Sequence, residues 1–397
     1  MMDASSGSSR PGAHGPVVVF PLLSSASQKV NASPNPLTPI TRSSMLAANI
    51  CSSPGGESPM ARRRVEYVEI RAASALNRVR APGLPFRWSL NPYRGCAHGC
   101  TYCYARRTHT FLDLSAGDQF SRVILVKMNL PEVLERELAR PSWARETVAL
   151  GTATDIYQPA EGHYRITRRI LELLVRYRTP AHIVTRSPLI LRDADLLLEL
   201  HRRAGVQVTI SLTTVDRGLA RAIEPGAPPP AARLRALRRL NELGVPTGIL
   251  VAPILPGLTD GVASLAAVVG AAHQAGAVAV GHQVLRLCPG AREVYLERLA
   301  EILPDLADAT RKLYREGDLA PRRYRMVVAR RLRGILQRYP FPGRPPAPRP
   351  TPPAGKAASH PRVGSLPGRP LPLAAAEGDG SAPLAVQTLM VWSGHTN

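Results

Sequence analysis

Three cysteines within eight residues are the densest group of chemically capable side chains in this 397-residue chain. Cys96, Cys100 and Cys103 have the spacing C-x3-C-x2-C in the segment NPYRGCAHGCTYCYAR, residues 91–106. Three thiolates on so short a loop can converge on one metal centre but cannot all pair off as disulfides. A zinc ion would need four ligands, and His98 could supply the fourth, although the sequence lacks the second C-x2-C or H-x3-H pair of a zinc module. An iron–sulfur cube held by three cysteines would leave one iron with an open coordination position.

The loop needs a scaffold, and the sequence around it predicts alternating strands and helices. A first strand before Asn91 and a helix around 131–140 complete about six βα units. Strands of this apolar kind form a parallel sheet buried on both faces, either three-quarters of a barrel or a doubly wound sheet. In both, ligands bind at the carboxyl ends of the strands. The other predicted strands are 146–152, 181–187, 206–214, 247–255 and 277–287, and the helices that follow them are 165–176, 194–203, 231–243, 262–274 and 294–315.

The cysteine segment resembles the radical S-adenosylmethionine (SAM) superfamily. Its C-x3-C-x-aromatic-C loop is met in full, with Tyr102 as the aromatic residue. The flanking segments GTATDIYQPAE, TRSPLILRD and SLTTVD…IEPGAP are similar to the spore photoproduct lyase-like branch, and to its uncharacterised actinobacterial members in particular. The resemblance covers most of residues 85–300 and implies an α/β fold, a partial (βα)6 TIM-type barrel, in agreement with the six units.

The resemblance also implies the cofactors. Cys96, Cys100 and Cys103 would bind a [4Fe-4S] cluster whose open iron chelates the amino and carboxylate groups of SAM. One electron from the reduced cluster would then split the sulfonium into methionine and a deoxyadenosyl radical. An electron donor such as flavodoxin or ferredoxin is implied as a partner. On this interpretation His98 is a loop residue and not a ligand.

Six further residues, in the loop and at the strand ends, are expected to contact SAM. Tyr102 would lie near the adenine, and Gly151 with Thr152 would receive the amino group at the end of the second strand. Arg186, where relatives often have Lys, would pair with the SAM carboxylate through two parallel hydrogen bonds. Ser211, and with less support Thr213, would bond the methionyl or ribose part, or simply fill the barrel.

Three carboxylates of the motifs have open roles. Asp155 and Glu161 are candidate acid/base groups, but each is as readily explained as a helix cap. Glu224 is expected to pair with Arg192 or Arg233 beside the site.

Cys288 follows the sixth strand in VLRLCPG and is a candidate hydrogen donor at the mouth of the barrel. Spore photoproduct lyases proper carry a reactive cysteine near the end of the second strand. GTATDIYQ contains no cysteine, so repair of a thymine dimer is not carried over to this chain. An inert buried thiol is the alternative for Cys288.

The charge of the chain suggests an anionic partner. The net charge is +22, of which the first 60 residues contribute +1 and the last 57 contribute +3, leaving +18 for residues 61–340. A basic globular domain attracts phosphate. The excess of Arg over Lys, 47 residues against 4, also reflects codon bias. The densest cluster is Arg322, Arg323, Arg325, Arg330, Arg331 and Arg333, around Tyr324, either a phosphate-binding rim or a solvated helix face.

We therefore expect a radical SAM enzyme acting on a nucleic acid or nucleotide. The alternatives are a peptide or protein substrate, or a non-catalytic iron–sulfur or zinc protein that binds nucleic acid.

The two ends of the chain differ from its middle. Residues 1–60 mix Ser, Pro, Asn and Gly and are expected to be disordered, and residues 341–397 are expected to form a Pro-rich disordered tail. The catalytic domain is expected at 61–340. No apolar run approaches the roughly 20 residues of a membrane span, and the cysteines do not form a disulfide framework, so we expect a cytoplasmic protein.

Overall fold

Eleven strands form two sheets in the part of the chain that the structure describes. The computed structural model describes residues 65–80 and 84–343, together with the backbone of 391–393. In chain order the strands are β1 (Glu66–Ile70), β2 (Asn77–Arg78), β3 (Trp88–Leu90), β4 (Tyr93–Arg94), β5 (Val123–Lys127), β6 (Val148–Leu150), β7 (Ala181–Thr185), β8 (Val206–Ser211), β9 (Thr247–Ile254), β10 (Val280–Val284) and β11 (Val391–Ser393).

The larger sheet contains the six parallel strands that the sequence predicts. Strands β3, β6, β7, β8, β9 and β10 lie side by side in chain order, and each pairs in parallel with the next. Strands β2 and β11 pair antiparallel at the two edges. Helices occupy the crossovers between the parallel strands. Because the strand order follows the chain without the reversal of a doubly wound sheet, the partial (βα)6 barrel is confirmed and the doubly wound alternative is set aside.

The helices of the crossovers lie close to their predicted positions. Gly205, Gly244 and Gly276 follow three of them with φ of +97°, +81° and +78°, as left-handed C′ residues do. The helices are α1 (Arg107–Thr110), α2 (Asp118–Arg122), α3 (Leu130–Leu138), α4 (Pro159–Tyr164), α5 (Ile166–Arg176), α6 (Ala194–Arg203), α7 (Arg217–Ile223), α8 (Pro230–Glu242), α9 (Val262–Gln274), α10 (Ala291–Ile302), α11 (Pro304–Leu313) and α12 (Arg322–Leu336).

The single helix predicted over 294–315 is wrong. The structure has two helices there, α10 and α11, separated at Leu303. Pro304 has no backbone N–H and cannot continue a helix from within, but it fits the first position of a new one.

The two faces of the parallel strands differ in character. Leu90, Leu150, Ile183 and Val208 are register partners on β3, β6, β7 and β8, and all are fully buried in the main apolar core. Successive side chains of a strand point to opposite faces. The alternate register row therefore faces the other side, and its members Ser89, Ala149 and His182 are small or polar. The core thus lies between the strands and the outer helices.

A smaller sheet, which the sequence reasoning did not find, stands beside the start of the barrel. Strand β5 pairs in parallel with β1 and antiparallel with β4. Because β4 comes directly after β3 and directly before the cysteines, this sheet fixes where the cysteine loop begins.

The expected terminal extensions lie almost wholly outside the described residues. Within 341–397 the structure describes 341–343 and the strand β11. Among the helices of the described ranges, none combines the length and apolar character needed to cross a bilayer.

Candidate functional site

The cysteine loop lies at the carboxyl edge of the larger sheet, directly after β3 and β4. The Cys96 N–H donates to the Phe120 carbonyl at 3.0 Å, and the Gly99 N–H donates to the Cys96 carbonyl at 3.2 Å. Gly95 has φ of +85°, and a Cβ there would lie 2.8 Å from the Val123 carbonyl oxygen. The loop therefore turns sharply against the segment of α2 and β5, and only glycine fits at position 95.

The three thiols are free and close enough to influence one another. Cys96 and Cys100 are buried and Cys103 is half-buried. Burial raises the pKa of Cys100 to about 12, and the neighbouring Cys103 and Cys96 thiolates add to the rise. Burial and the Cys96 thiolate also raise the pKa of Cys103. At Cys96 burial is outweighed by the neighbouring His98, and the pKa of that thiol is lowered. Thiolates at Cys100 and Cys103 therefore need a positively charged centre, such as metal ions provide.

His98 lies between Cys96 and Asp155. Its Nδ1 is 3.4 Å from Asp155 Oδ2. Burial disfavours the imidazolium, but the Cys96 thiolate and Asp155 outweigh this effect and raise the pKa of His98 to about 10. An imidazolium has no free lone pair for a metal, so this arrangement favours His98 as a loop residue.

Arg106 supports the loop from its carboxyl side. Its Nε donates to the Cys100 carbonyl at 2.9 Å and its Nη2 to the Gly99 carbonyl at 3.0 Å. Its Nη1 donates to the Ala116 and Gly117 carbonyls at 2.9 and 2.7 Å. The fully buried guanidinium thus satisfies four carbonyl groups that the irregular loop leaves without strand partners. Sequence reasoning gave Arg106 no role, although it ends the motif YCYAR.

Side chains after β6 hold the other side of the loop. Gln158 accepts from the Ala97 N–H at 2.9 Å and donates to the Gly95 carbonyl at 3.1 Å. Thr154 Oγ1 donates to the same Gly95 carbonyl at 2.6 Å. Both residues belong to GTATDIYQPAE, in which the sequence analysis gave roles to Gly151, Thr152, Asp155 and Glu161 but none to Thr154 or Gln158. The sequence could have pointed to Gln158 through its place within this motif.

Gly151 and Thr152 lie at the end of β6, as predicted, and contact protein backbone and Asn91. Gly151 has φ of +86°, and a Cβ there would lie 2.4 Å from the Val184 carbonyl oxygen of the next strand. Asn91 Nδ2 donates to Thr152 Oγ1 at 3.0 Å, and Asn91 Oδ1 accepts from the Ala153 N–H at 2.9 Å. These contacts fix the backbone at the mouth of the barrel.

Tyr102 belongs to a buried polar network centred on Glu224. Its hydroxyl donates to the Glu224 carboxylate and lies 3.1 Å from Thr213 Oγ1. Arg233 forms an ion pair with Glu224, and Arg186 Nε lies 3.6 Å from Glu224 Oε1. Burial disfavours the ionised carboxylate, but the two guanidinium groups outweigh it and lower the pKa of Glu224 to about 2.

The network decides between the two partners expected for Glu224. Arg233 is the partner, and Arg192 pairs with Glu161 at 2.7 Å and with Asp193 at 2.8 Å. Glu161 also accepts from the Thr167 N–H at 2.9 Å, in the first turn of α5. Glu161 therefore acts in this structure as a helix cap.

Asp155 is used to fix the end of β7. Its Oδ1 accepts from Thr185 Oγ1 at 2.6 Å and from the Tyr157 N–H at 2.9 Å, and its Oδ2 accepts from the Arg186 N–H at 2.7 Å. Burial opposes ionisation, but His98 and these donors outweigh it and lower the pKa of Asp155 to about 2. Asp155 thus couples the cysteine loop to the strand end that carries Arg186.

Arg186 has a charge partner but an incomplete set of hydrogen bonds. Its Nε is buried and lies 3.6 Å from Glu224 Oε1, an ion-pair contact that is too long for a hydrogen bond. Its Nη2 lies 3.4 Å from the Tyr102 hydroxyl. A buried guanidinium N–H without a hydrogen bond can still donate to an acceptor, such as a ligand carboxylate.

The hydroxyls of β8 are occupied by the neighbouring strand. Ser211 Oγ donates to the Ala252 carbonyl at 3.0 Å, and Thr213 Oγ1 lies 3.2 Å from the same oxygen. The Ser211 carbonyl accepts from Arg233 Nη1 at 3.3 Å. Ser211 therefore lies beside the Glu224 network at the carboxyl edge, with its hydroxyl turned to β9.

Cys288 lies next to the cysteine loop. It is 1% exposed, and its Sγ is 3.6 Å from the Tyr104 carbonyl oxygen, one residue after Cys103. Burial raises the pKa of its thiol, so it keeps its proton at neutral pH. The Tyr104 hydroxyl in turn donates to the Thr152 carbonyl, which places Cys288, the loop and the end of β6 around one region.

The donor set fits an iron–sulfur cluster with a carboxylate-bearing ligand. Within residues 65–80 and 84–343, no three His, Cys, Asp or Glu side chains are grouped as ligands of a single metal ion. In a cubane each cysteine binds a different iron, so the three thiols need not meet at one atom. Three free, mutually interacting thiols and the donor of Arg186 are the features that such a pair of cofactors requires.

Comparison with known proteins places the chain in a family. The model of the radical SAM superfamily matches residues 90–267. An uncharacterized protein of Mycobacterium tuberculosis is 40% identical over 303 residues, which are 76% of this chain and 88% of that protein. An uncharacterized protein of Methanocaldococcus jannaschii is 28% identical over 197 residues, 50% of this chain and 71% of that one. The chain belongs to the radical SAM superfamily, as its cysteine motif predicts.

The fold is similar to that of spore photoproduct lyase. A mutant of that enzyme with bound AdoMet and dinucleoside spore photoproduct superposes with a TM-score of 0.55, covering 72% of this chain and 84% of the lyase chain. The sequence identity of 17% makes this a likeness of fold.

Proposed function

We propose that this protein is a radical SAM enzyme in which Cys96, Cys100 and Cys103 bind a [4Fe-4S] cluster, and that its substrate is a nucleic acid or nucleotide. One observation carries the proposal. The three free thiols share a buried loop that is held from both sides. Arg186, whose Nη2 lies 3.4 Å from the Tyr102 hydroxyl of that loop, has a buried Nε that makes no hydrogen bond. Superfamily membership and the basic charge of residues 61–340 support it.

The residues of the chain divide the work of binding. The bound cluster would supply one electron to SAM and so give a carbon-centred radical. The protein would hold SAM and the substrate in position. Arg186 would hold the SAM carboxylate through Nε and an Nη, and Tyr102 would lie against the adenine. The backbone at Gly151 and Thr152, fixed by Asn91, would receive the amino group. Ser211 would bond the ribose or methionyl part after leaving the Ala252 carbonyl.

Cys288 is proposed as the hydrogen donor to a substrate radical. The S–H bond would break and a C–H bond would form on the substrate, leaving a sulfur radical that the external electron donor reduces with uptake of a proton. The raised pKa of Cys288 supports this role, because only the protonated thiol carries a hydrogen atom. The contact with Tyr104 holds the thiol near the loop.

A flavodoxin- or ferredoxin-type protein is the proposed electron donor, and the cytoplasm is the proposed location. The free thiols are typical of a reducing compartment.

The test is anaerobic reconstitution with iron and sulfide, followed by dithionite and SAM. We expect a brown protein with the broad visible absorption of an iron–sulfur cluster, and formation of deoxyadenosine. C100A should lose both. C288A is the matched control, since it removes one buried thiol outside the loop and should bind the same amount of iron.

Two results would contradict the proposal. Zinc in place of iron after oxygen-free purification would support a structural zinc site. A chain that binds iron but does not cleave SAM would support the non-catalytic alternative.

A further inference from the structure

Helix α12 carries a row of arginines that the fold does not use. The helix has six Arg and no Asp or Glu. Two of the six have structural roles: Arg325 Nε donates to the Ala320 carbonyl at 3.0 Å, and Arg331 pairs with Asp260 at 3.2 Å. The other four are exposed, and no carboxylate among the described residues lies within ion-pair distance of them. They are Arg322, Arg323, Arg330 and Arg333.

The four exposed arginines lie on one face. At about 100° per residue they fall, with the exposed Met326 between them, within an arc of roughly 100°. At about 1.5 Å per residue the row is roughly 16 Å long. In double-stranded DNA each strand carries a phosphate about every 3.4 Å along the helix axis, so the row is long enough to span several consecutive phosphates of a strand.

The row begins at the carboxyl edge of the barrel. Leu319, just before the helix, pairs with Arg286, just after β10. Tyr324 donates to Asp260 at 2.7 Å, in the loop that follows β9. Farther down, the Tyr339 ring packs on His273 at the end of α9. Arg322 and Arg323 are therefore on the side of the molecule where the cysteine loop lies.

We propose that this row, the α12 arginine face, binds the phosphodiester backbone of a nucleic-acid strand and leads it across the mouth of the barrel. The proposal deepens the proposed function and rests on it for the identity of the reacting molecule. Charge complementarity carries it, because four uncompensated guanidinium groups on one face match a regular row of phosphates.

A lipid surface fits the helix less well. An interfacial helix inserts an apolar face into the bilayer. The apolar face of α12, with Val328, Leu332 and Ile335, is buried against the protein. Only Met326 and Val327 remain exposed on the outer side.

The test measures binding of the full chain, purified without oxygen, to a fluorescein-labelled 20-nucleotide DNA strand of mixed sequence over a range of salt. The helix variant combines R322Q, R323Q and R330Q. We expect at least a tenfold loss of affinity at low salt. The slope of log K against log salt should become shallower by about 2, since each contact to a single strand contributes about 0.7.

The matched control combines R235Q, R238Q and R239Q on α8, which are exposed and change the net charge equally. The affinity of the control for DNA should be within about twofold of the parent's. This change is small compared with the effect of losing contacts to phosphates. Equal slopes for parent and helix variant, or an equal loss in the control, would overturn the proposal. So would stronger binding to phosphatidylserine vesicles or to polyglutamate than to DNA at matched charge.

Deoxyadenosine formation measured on the same preparations separates this proposal from the proposed function. If the chain cleaves SAM but the helix variant binds DNA as tightly as the parent, the α12 proposal is wrong and the proposed enzyme stands. If the helix variant loses DNA binding but the chain neither binds iron nor cleaves SAM, the proposed enzyme is wrong and the α12 proposal stands.

Discussion

The arginines at the barrel mouth and those on the outer face of α12 are the same residue type in opposite situations. Arg233 is fully buried and pairs with Glu224, and Arg186 lies 3.6 Å from the same carboxylate. Arg322 and Arg330 are exposed and have no carboxylate partner within the described ranges. A buried charge must be paired to be tolerated, whereas an exposed one is solvated and available to a partner. The inner arginines therefore shape the site, and the outer ones present charge.

The largest contrast should appear when one arginine is removed from each region. R233M leaves Glu224 buried with only the more distant Arg186 and should cost about 3–5 kcal/mol of unfolding free energy. R322M should change it by less than about 0.5 kcal/mol. Urea denaturation followed by circular dichroism measures both. Similar losses in the two variants would show that burial does not separate these regions.

The same contrast predicts an acid-sensitive inner region. The pKa of Glu224 is depressed to about 2 from an ordinary value near 4.5. Its ionised form therefore stabilises the fold above pH 4.5, and this stabilisation is lost as the pH falls toward 2. The loss amounts to about 3 kcal/mol, from 1.36 kcal/mol per pKa unit. The free energy of unfolding, measured from pH 5 to 2.5, should fall less steeply in E224Q than in the parent chain. Parallel curves would assign the acid sensitivity to other carboxyls such as Asp155.

Gly226 tests how tightly the Glu224 segment is packed on the cysteine loop. Its N–H donates to the His98 carbonyl at 3.0 Å, and a Cβ there would lie 2.2 Å from the Ala97 carbonyl oxygen. Since both neighbours are backbone, G226A must displace the loop, and it should cost about 1–3 kcal/mol and reduce iron binding. G162A in α4 is the control, because nothing lies within 4 Å of its new methyl group. Iron content and urea denaturation of both variants decide the matter, and normal iron binding in G226A would mean that the loop yields without losing its geometry.

The smallest effect is expected for C288A. A buried thiol replaced by a methyl group loses little apolar contact, so the unfolding free energy should fall by about 1 kcal/mol or less. Iron content should stay at the parent value, while substrate turnover should fall if Cys288 donates hydrogen. An unchanged turnover in C288A, measured once a substrate is found, would return Cys288 to the apolar core.

The six βα units could be predicted from sequence because local patterns determine them. Apolar runs, helical periodicity and the glycines at 205, 244 and 276 each act within a few residues. The prediction of one helix over 294–315 failed at Pro304, a local signal in the sequence that begins a new helix in the structure. The small sheet of β1, β4 and β5 was missed because its strands pair across long stretches of chain: Tyr93 of β4 pairs with Val126, 33 residues on, and Glu66 of β1 pairs with Val123, 57 residues on.

The loop motif predicted which residues would bind cofactors, and the sequence by itself determined the spacing of the three cysteines, the superfamily and the order of the barrel strands. Tertiary structure alone decided which groups support them. Arg106, Gln158 and Gly226 hold the loop, and Arg233 rather than Arg192 meets Glu224, because strands distant in sequence end at one edge. Spacing along a chain specifies a ligand set, but the pairing of buried charges depends on distances and burial that exist only once the barrel has folded.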